Sequence, residues 1–127
     1  MKKIVLIGEL GEIMRSLNEC LAGEFQVQLC SEQLENVKAM VKIVKPELII
    51  ICQIGVEEID NAIFEWIQEK CPKIPALGVT TNEGWKQCRE FYKSEQFDVL
   101  FRPVAKKELL EKCHQMLQSG GVSEPDE

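Results

Sequence analysis

Five short apolar runs alternate along the chain with five stretches in which apolar side chains recur every three or four residues. The first pattern marks strands, the second marks helices with one buried face. Lys3 to Ile7 is β-branched and reads as a strand, followed by a helix carrying Ile13, Met14, Leu17 and Leu21 that stops at Gly23. Phe25, Val27 and Leu29 then alternate with Gln26 and Gln28, as in an edge strand wetted on one side. Ser31 offers a side-chain oxygen to cap a second helix carrying Leu34, Val37, Val41 and Val44, which Lys45-Pro46 ends. Leu48 to Cys52 has no polar alternation, so it belongs in the middle of a parallel sheet with helices on both faces.

The alternation continues to the end of the chain. Ile59, Ile63 and Ile67 mark a third helix, with Trp66 flanking its apolar stripe, and Ala76 to Thr80 a fourth strand. A helix from about Glu83 to Lys93 carries Trp85, Cys88, Phe91 and Tyr92. Phe97 to Phe101 is the fifth strand, and Pro103 introduces a last helix carrying Leu109, Leu110, Cys113, Met116 and Leu117. Five strand-helix units joined by short, right-handed connections specify an α/β fold, a three-layer α/β/α sandwich. The flavodoxin-like order 2-1-3-4-5 puts the most apolar strand centrally and the Gln-bearing strand at an edge. In that order the C-terminal ends of strands one and three meet at the switch point, where ligands bind in such folds. Glu9, Cys52, Thr80 and Arg102 share that rim.

At 127 residues the chain has room for one core. Residues 1–118 form that domain, and 119–127, with two glycines, a proline and three acids, read as a flexible tail or the start of a linker. A net charge of −6 argues against a broad nucleic-acid or anionic-membrane surface. No stretch approaches the roughly 20 apolar residues of a membrane span, and the apolar run after Lys3 is too short for a secretory leader. Six scattered cysteines without a C-x-x-C pair suit reduced thiols in a cytoplasmic protein. Gly8 and Gly11 fail dinucleotide-loop spacing, and Gly8-Glu9-Leu10-Gly11-Glu12 would turn carboxylates towards a flavin phosphate. His114 has no companion ligands nearby in sequence. No cofactor and no metal are expected, nor is the chain expected to be an enzyme.

Four segments carry a more specific signal. Lys3-Ile4-Val5-Leu6-Ile7 leads into Gly8-Glu9, Pro46-Glu47-Leu48-Ile49-Ile50-Ile51 leads into Cys52, Val79-Thr80-Thr81 ends strand four, and Phe101-Arg102-Pro103 precedes the last helix. In combination they resemble the receiver domain of two-component response regulators, from Lys2 to about Leu117. The resemblance implies a phosphorylation pocket at Gly8, Glu9, Cys52, Thr80, Arg102 and Pro103, with Arg102-Pro103 in the cis form. Three of those positions depart from the family. Gly8 stands for one carboxylate of the acidic pair, Cys52 for the acceptor aspartate, and Arg102 for a lysine. Val56 stands where a proline is common, and Val99 replaces the aromatic switch residue of strand five.

A hard cation seeking about six oxygen ligands would find few here, so the pocket reads as degenerate. Arg102 is expected to pair with Glu9 across it. The resemblance implies signal transduction through protein contact, with a protein partner or a fused output domain on the face containing Trp85, Tyr92, Lys93, Val99, Lys106 and Lys107. It also allows a homodimer through that face. Two alternatives stay open: a redox or thiol-modification switch at Cys52, with Cys30 or Cys88 resolving, and a conventional phosphorelay receiver using unusual chemistry.

Overall fold

A computed structural model describes residues 1–53 and 58–122. Its strands are β1 (Lys3–Ile7), β2 (Gln26–Cys30), β3 (Leu48–Cys52), β4 (Ala76–Thr80) and β5 (Phe97–Phe101). The helices are α1 (Glu12–Leu21), α2 (Leu34–Val44), α3 (Glu58–Lys70), α4 (Asn82–Gln87), α5 (Arg89–Tyr92) and α6 (Lys106–Val122). All strand pairs are parallel and the order is β2-β1-β3-β4-β5, as the hydrophobic pattern requires. Every residue of β3 and β4 is buried, whereas β2 alternates between exposed and half-buried until Cys30. α6 continues past Ser119, where the composition turns linker-like, and residues 123–127 and Val56 lie outside the described residues.

Two apolar layers sandwich the sheet. Ile4, Leu6, Ile50, Cys52, Leu77 and Val79 pack against Met14, Leu17 and Leu21 of α1 and Leu109, Cys113 and Met116 of α6. On the other face Val5, Ile7, Ile49 and Ile51 meet Val37 and Val41 of α2 and Ile63, Phe64 and Ile67 of α3, with Trp66 at the margin as expected. Phe64 anchors this layer, stacked on Phe97 at 5.2 Å between centroids and tilted against Phe91 at 5.4 Å.

Three local readings need correction. Ser31 does not cap α2: Gln33 occupies the N-cap, without a side-chain cap bond, and Ser31 Oγ accepts from Asn36 Nδ2 at 2.7 Å. The helix after β4 is two short pieces, because Cys88 leaves helical geometry at φ −110° and ψ 21°. The first of them begins one residue early, since Thr81 Oγ1 accepts from the Gly84 N–H at 3.2 Å and caps it. At the end of α2, Lys45 takes the left-handed conformation at φ 54°, which stops the helix before Pro46.

Glu47 ties β1 to the entry of β3. Its Oε1 accepts from the Lys3 backbone N–H at 2.8 Å, and Lys2 Nζ lies 3.4 Å from Oε2. The backbone bond from Lys3, aided by Lys2, holds this carboxyl below its ordinary value. A depressed folded-state pKa gives stability that is present above the unfolded value and lost as pH falls through the folded one. Glu47→Gln is therefore expected to flatten the acid limb of stability below about pH 4.5. Because the side chain is half-exposed and screened, the effect should stay within about 1 kcal/mol. Urea midpoints measured from neutral to acid pH check this.

Candidate functional site

The rim formed by the C-terminal ends of β1, β3, β4 and β5 gathers Gly8, Glu9, Cys52, Thr80, Arg102 and Pro103, the residues expected to share a pocket. Among the described residues, the ends of β1 and β3 are closely packed. Gly8 is buried where the chain leaves β1, its N–H donating to the Cys30 carbonyl at 3.0 Å. A β-carbon at this position would lie 2.9 Å from Met14 Sδ, 3.1 Å from Cys52 Cβ and 3.2 Å from the Cys52 carbonyl oxygen. Only glycine lets α1 bring Met14 this close. Cys52 itself is 1% exposed and sits in the apolar layer shared with Met14. Carbon and sulfur fill the space beside the ends of β1 and β3, leaving Glu9, which is exposed, as the remaining carboxylate at the end of β1.

Thr80 is closed off from the other side. It is fully buried, and its hydroxyl donates to the Thr81 carbonyl at 3.3 Å. Gly84 of α4 rests directly on it, so that a β-carbon there would collide with Thr80 Oγ1. The hydroxyl therefore serves the local backbone and is not presented at the rim.

The Arg102-Pro103 bond is cis, as the resemblance implies, but the partner of the Arg102 side chain is not the expected one. No ion pair joins it to exposed Glu9. Its Nη2 instead donates to the Gln53 carbonyl at 3.1 Å, and its backbone N–H donates to the Thr80 carbonyl at 2.9 Å. The guanidinium thus reaches from the end of β5 across β4 to the end of β3.

Gln53 is the polar centre that the residue pattern did not single out. It is 1% exposed, directly after β3. Its N–H donates to the Val79 carbonyl at 2.9 Å, its Oε1 accepts from Tyr92 Oη at 3.0 Å, and its Nε2 donates to Cys88 Sγ at 3.3 Å. Cys88 Sγ in turn lies 3.5 Å from Asn61 Oδ1 of α3. Tyr92, expected on the interaction face, is committed to this network and packs over Gly78, whose missing side chain makes room for the ring. The available sequence signal was a lone amide directly after five apolar strand residues.

Trp85 and Phe101 meet edge to face at 6.4 Å, with the Arg89 guanidinium 5.6 Å from the Trp85 ring centroid. Phe101 is 43% exposed, an aromatic surface not anticipated. Lys106 and Lys107 are exposed, Lys93 is held by Glu90 at 3.2 Å, and Val99 is half-buried.

None of the six cysteines is in a disulfide. Cys52 packs in the layer facing α1 and α6, whereas Cys30 and Cys88 pack on the opposite face of the sheet. The sheet separates the proposed resolving thiols from Cys52. Burial pushes the thiols of Cys30 and Cys71 up, and that of Cys113 to about 12. Among the described residues no group of three His, Cys, Asp or Glu side chains is placed to hold a metal ion. His114 packs against Phe25 at 4.9 Å and meets Glu24 at 2.6 Å. Among the same residues no helix is long and apolar enough to cross a membrane.

Solved structures share this architecture over nearly the whole chain. The receiver domain of nitrogen regulatory protein C matches with a TM-score of 0.81 at 17% identity, covering 97% of this chain and 98% of that one. The chain has the receiver-domain fold. The signal receiver domain of a signal transduction histidine kinase from Syntrophus aciditrophicus matches with a TM-score of 0.79 at 15% identity, over 98% of this chain and 95% of that one. NtrX from Brucella abortus matches 95% of this chain with a TM-score of 0.79 at 12% identity, and the chain spans 28% of its length. No protein-family model and no curated protein sequence matches. At these identities the receiver likeness describes the fold, and the side chains at the rim must carry any functional argument.

Proposed function

We propose that this receiver-fold domain acts in signal transduction through protein contacts, with its phosphorylation pocket degenerate and closed. The observation that carries this reading is the approach of Met14 Sδ and Cys52 Cβ to Gly8. A side chain at position 8 that could offer oxygen ligands to a hydrated cation would meet a thioether and the Cys52 side chain. Thr80 beneath Gly84, and Arg102 on the Gln53 carbonyl, support the same reading.

The contact surface is exposed Phe101 with half-buried Trp85, the Arg89 guanidinium over the Trp85 ring, and exposed Lys106 and Lys107 at the start of α6. Aromatic rings beside guanidinium and ammonium groups combine apolar anchorage with charge selection. A protein partner, or an output domain joined to this chain, fits that surface best when it offers an apolar anchor flanked by acids. Tyr92 is half-buried, with its hydroxyl bonded to Gln53, so it offers a partner at most one edge of its ring. Self-association through this face, which the resemblance allows, would compete with that partner. The burial of Cys52, together with the placement of Cys30 and Cys88 across the sheet, weighs against a thiol switch.

Amide NMR spectra recorded with Mg²⁺ and beryllofluoride, a phosphoryl mimic, test the reading. Unchanged signals for Gly8, Thr80, Gln53 and Arg102 are expected. Saturable shifts at these four residues would establish a working acceptor pocket.

A further inference from the structure

We infer that the free edge of β2 is a self-association surface, through which two copies of this chain join their sheets about a two-fold axis at Gln28. The backbone directions come from the β1 ladder. The Gln26 N–H donates to the Lys2 carbonyl at 2.9 Å, and the Cys30 carbonyl accepts from the Gly8 N–H at 3.0 Å. Gln26, Gln28 and Cys30 therefore direct their backbone groups inward to β1, and the alternation of a strand directs those of Val27 and Leu29 outward. A second β2 running antiparallel meets this edge with Val27 opposite Leu29 and Gln28 opposite itself. Both outward-directed pairs then fall at hydrogen-bonding positions and make four N–H to carbonyl bonds. The interface is isologous, the same surface on both copies.

Several features favour a second copy as occupant. The edge carries Gln26, Val27, Gln28, Leu29 and Cys30, with none of the lysines, prolines or bulges that usually blunt such an edge. Gln28 stands on the two-fold, and an amide can both donate to and accept from its own copy. Beside the strand, a groove of about 340 Å³ runs between Leu29 and Cys30 and α2, where Ala39 and Ile43, with Met40 at the margin of the core, form an apolar stripe beside the core-facing Val37 and Val41. Ile43 is 79% exposed.

The charges on α2 complement those of a rotated copy. Glu35 lies in its first turn, Lys42 in its last turn and Lys45 at its cap. The two-fold brings the acidic end of each α2 towards the basic end of the other. The strand register brings Glu24 near the partner copy's Glu32 only beyond the bonded residues, and Glu24 already meets His114. Because β2 and β5 are opposite edges of the sheet, such a dimer leaves Trp85 and Phe101 of both copies free for partners. The inference does not depend on the closed pocket.

Sedimentation equilibrium of the whole chain across the micromolar range tests it. The expected species has twice the 14.5 kDa chain mass. Gln28→Lys, whose side chain is exposed, should keep the circular dichroism spectrum and raise the dissociation constant at least about tenfold by opposing like charges across the seam. Mixing Gln28→Lys with Gln28→Glu should restore dimer, Ile43→Glu should weaken it, and Trp85→Ala with Phe101→Ser should leave it intact. A monomer at every concentration would overturn the inference. So would a dimer indifferent to Gln28→Lys or lost only in the Trp85 and Phe101 variant.

Discussion

Gly8→Asp, which introduces a carboxylate at the end of β1, is expected to destabilise the fold by about 3 kcal/mol, through overpacking and through burial of a charge. The new β-carbon would press on Met14 Sδ and Cys52 Cβ, both held in a filled layer. Its carboxyl would also face the Cys52 carbonyl oxygen, so desolvation and repulsion would raise its pKa. Urea unfolding should show a lower midpoint at unchanged m-value. Met14→Ala will itself cost stability, but it opens the space. The additional loss from Gly8→Asp in that background should therefore be smaller than in the wild type, a coupling that a double-mutant cycle isolates. Equal losses in both backgrounds would mean that Met14 is not what closes the pocket.

The second large effect is expected at Gln53. Gln53→Leu keeps much of the buried volume but removes the amide that receives Tyr92 Oη and donates to Cys88 Sγ. Leaving these groups without their partner should cost about 2–3 kcal/mol. Tyr92→Phe removes one bond from the same network and should cost about 1 kcal/mol. The two losses should not add, since Tyr92 has lost its acceptor once Gln53 is gone. Amide hydrogen exchange should accelerate first in α4 and α5, the short helices that this network fastens to the end of β3. Additive effects would argue that Gln53 and Tyr92 act separately.

Much of the architecture was legible because sheet position leaves a mark on composition. Leu48 to Cys52 read as a central strand for lack of any polar alternation, and all five residues are buried. Gln26 and Gln28 marked β2 as an edge, and it lies at one. Cap chemistry was less legible: Ser31 carries a suitable oxygen, yet Asn36 takes it and Gln33 occupies the cap. The break at Cys88 was hidden because the apolar spacing from Trp85 to Tyr92 continues across it, whereas the backbone turns there so that Tyr92 can reach Gln53.

At the rim, the sequence showed which residue types were lost but not what replaced them. Met14 carried only the signal of one more apolar residue on the buried side of α1. The position of its thioether depends on how closely Gly8 lets it approach. The Glu9–Arg102 pair was a plausible match of charges across a rim, but the chain path after β5 offers Arg102 the Gln53 carbonyl at 3.1 Å instead. Phe101 was counted as a strand residue, although as the last residue of the opposite edge strand it is partly open to solvent beside Trp85.

The most direct test of the closed pocket is intact-mass analysis of the reduced protein after incubation with Mg²⁺ and a small phosphodonor, with an ordinary receiver domain treated alongside. The account predicts that the control gains a phosphoryl group and that this chain's mass is unchanged. A phosphoryl adduct on this chain that disappears in Cys52→Ser would contradict it, because Cys52 would then be an acceptor in an accessible site.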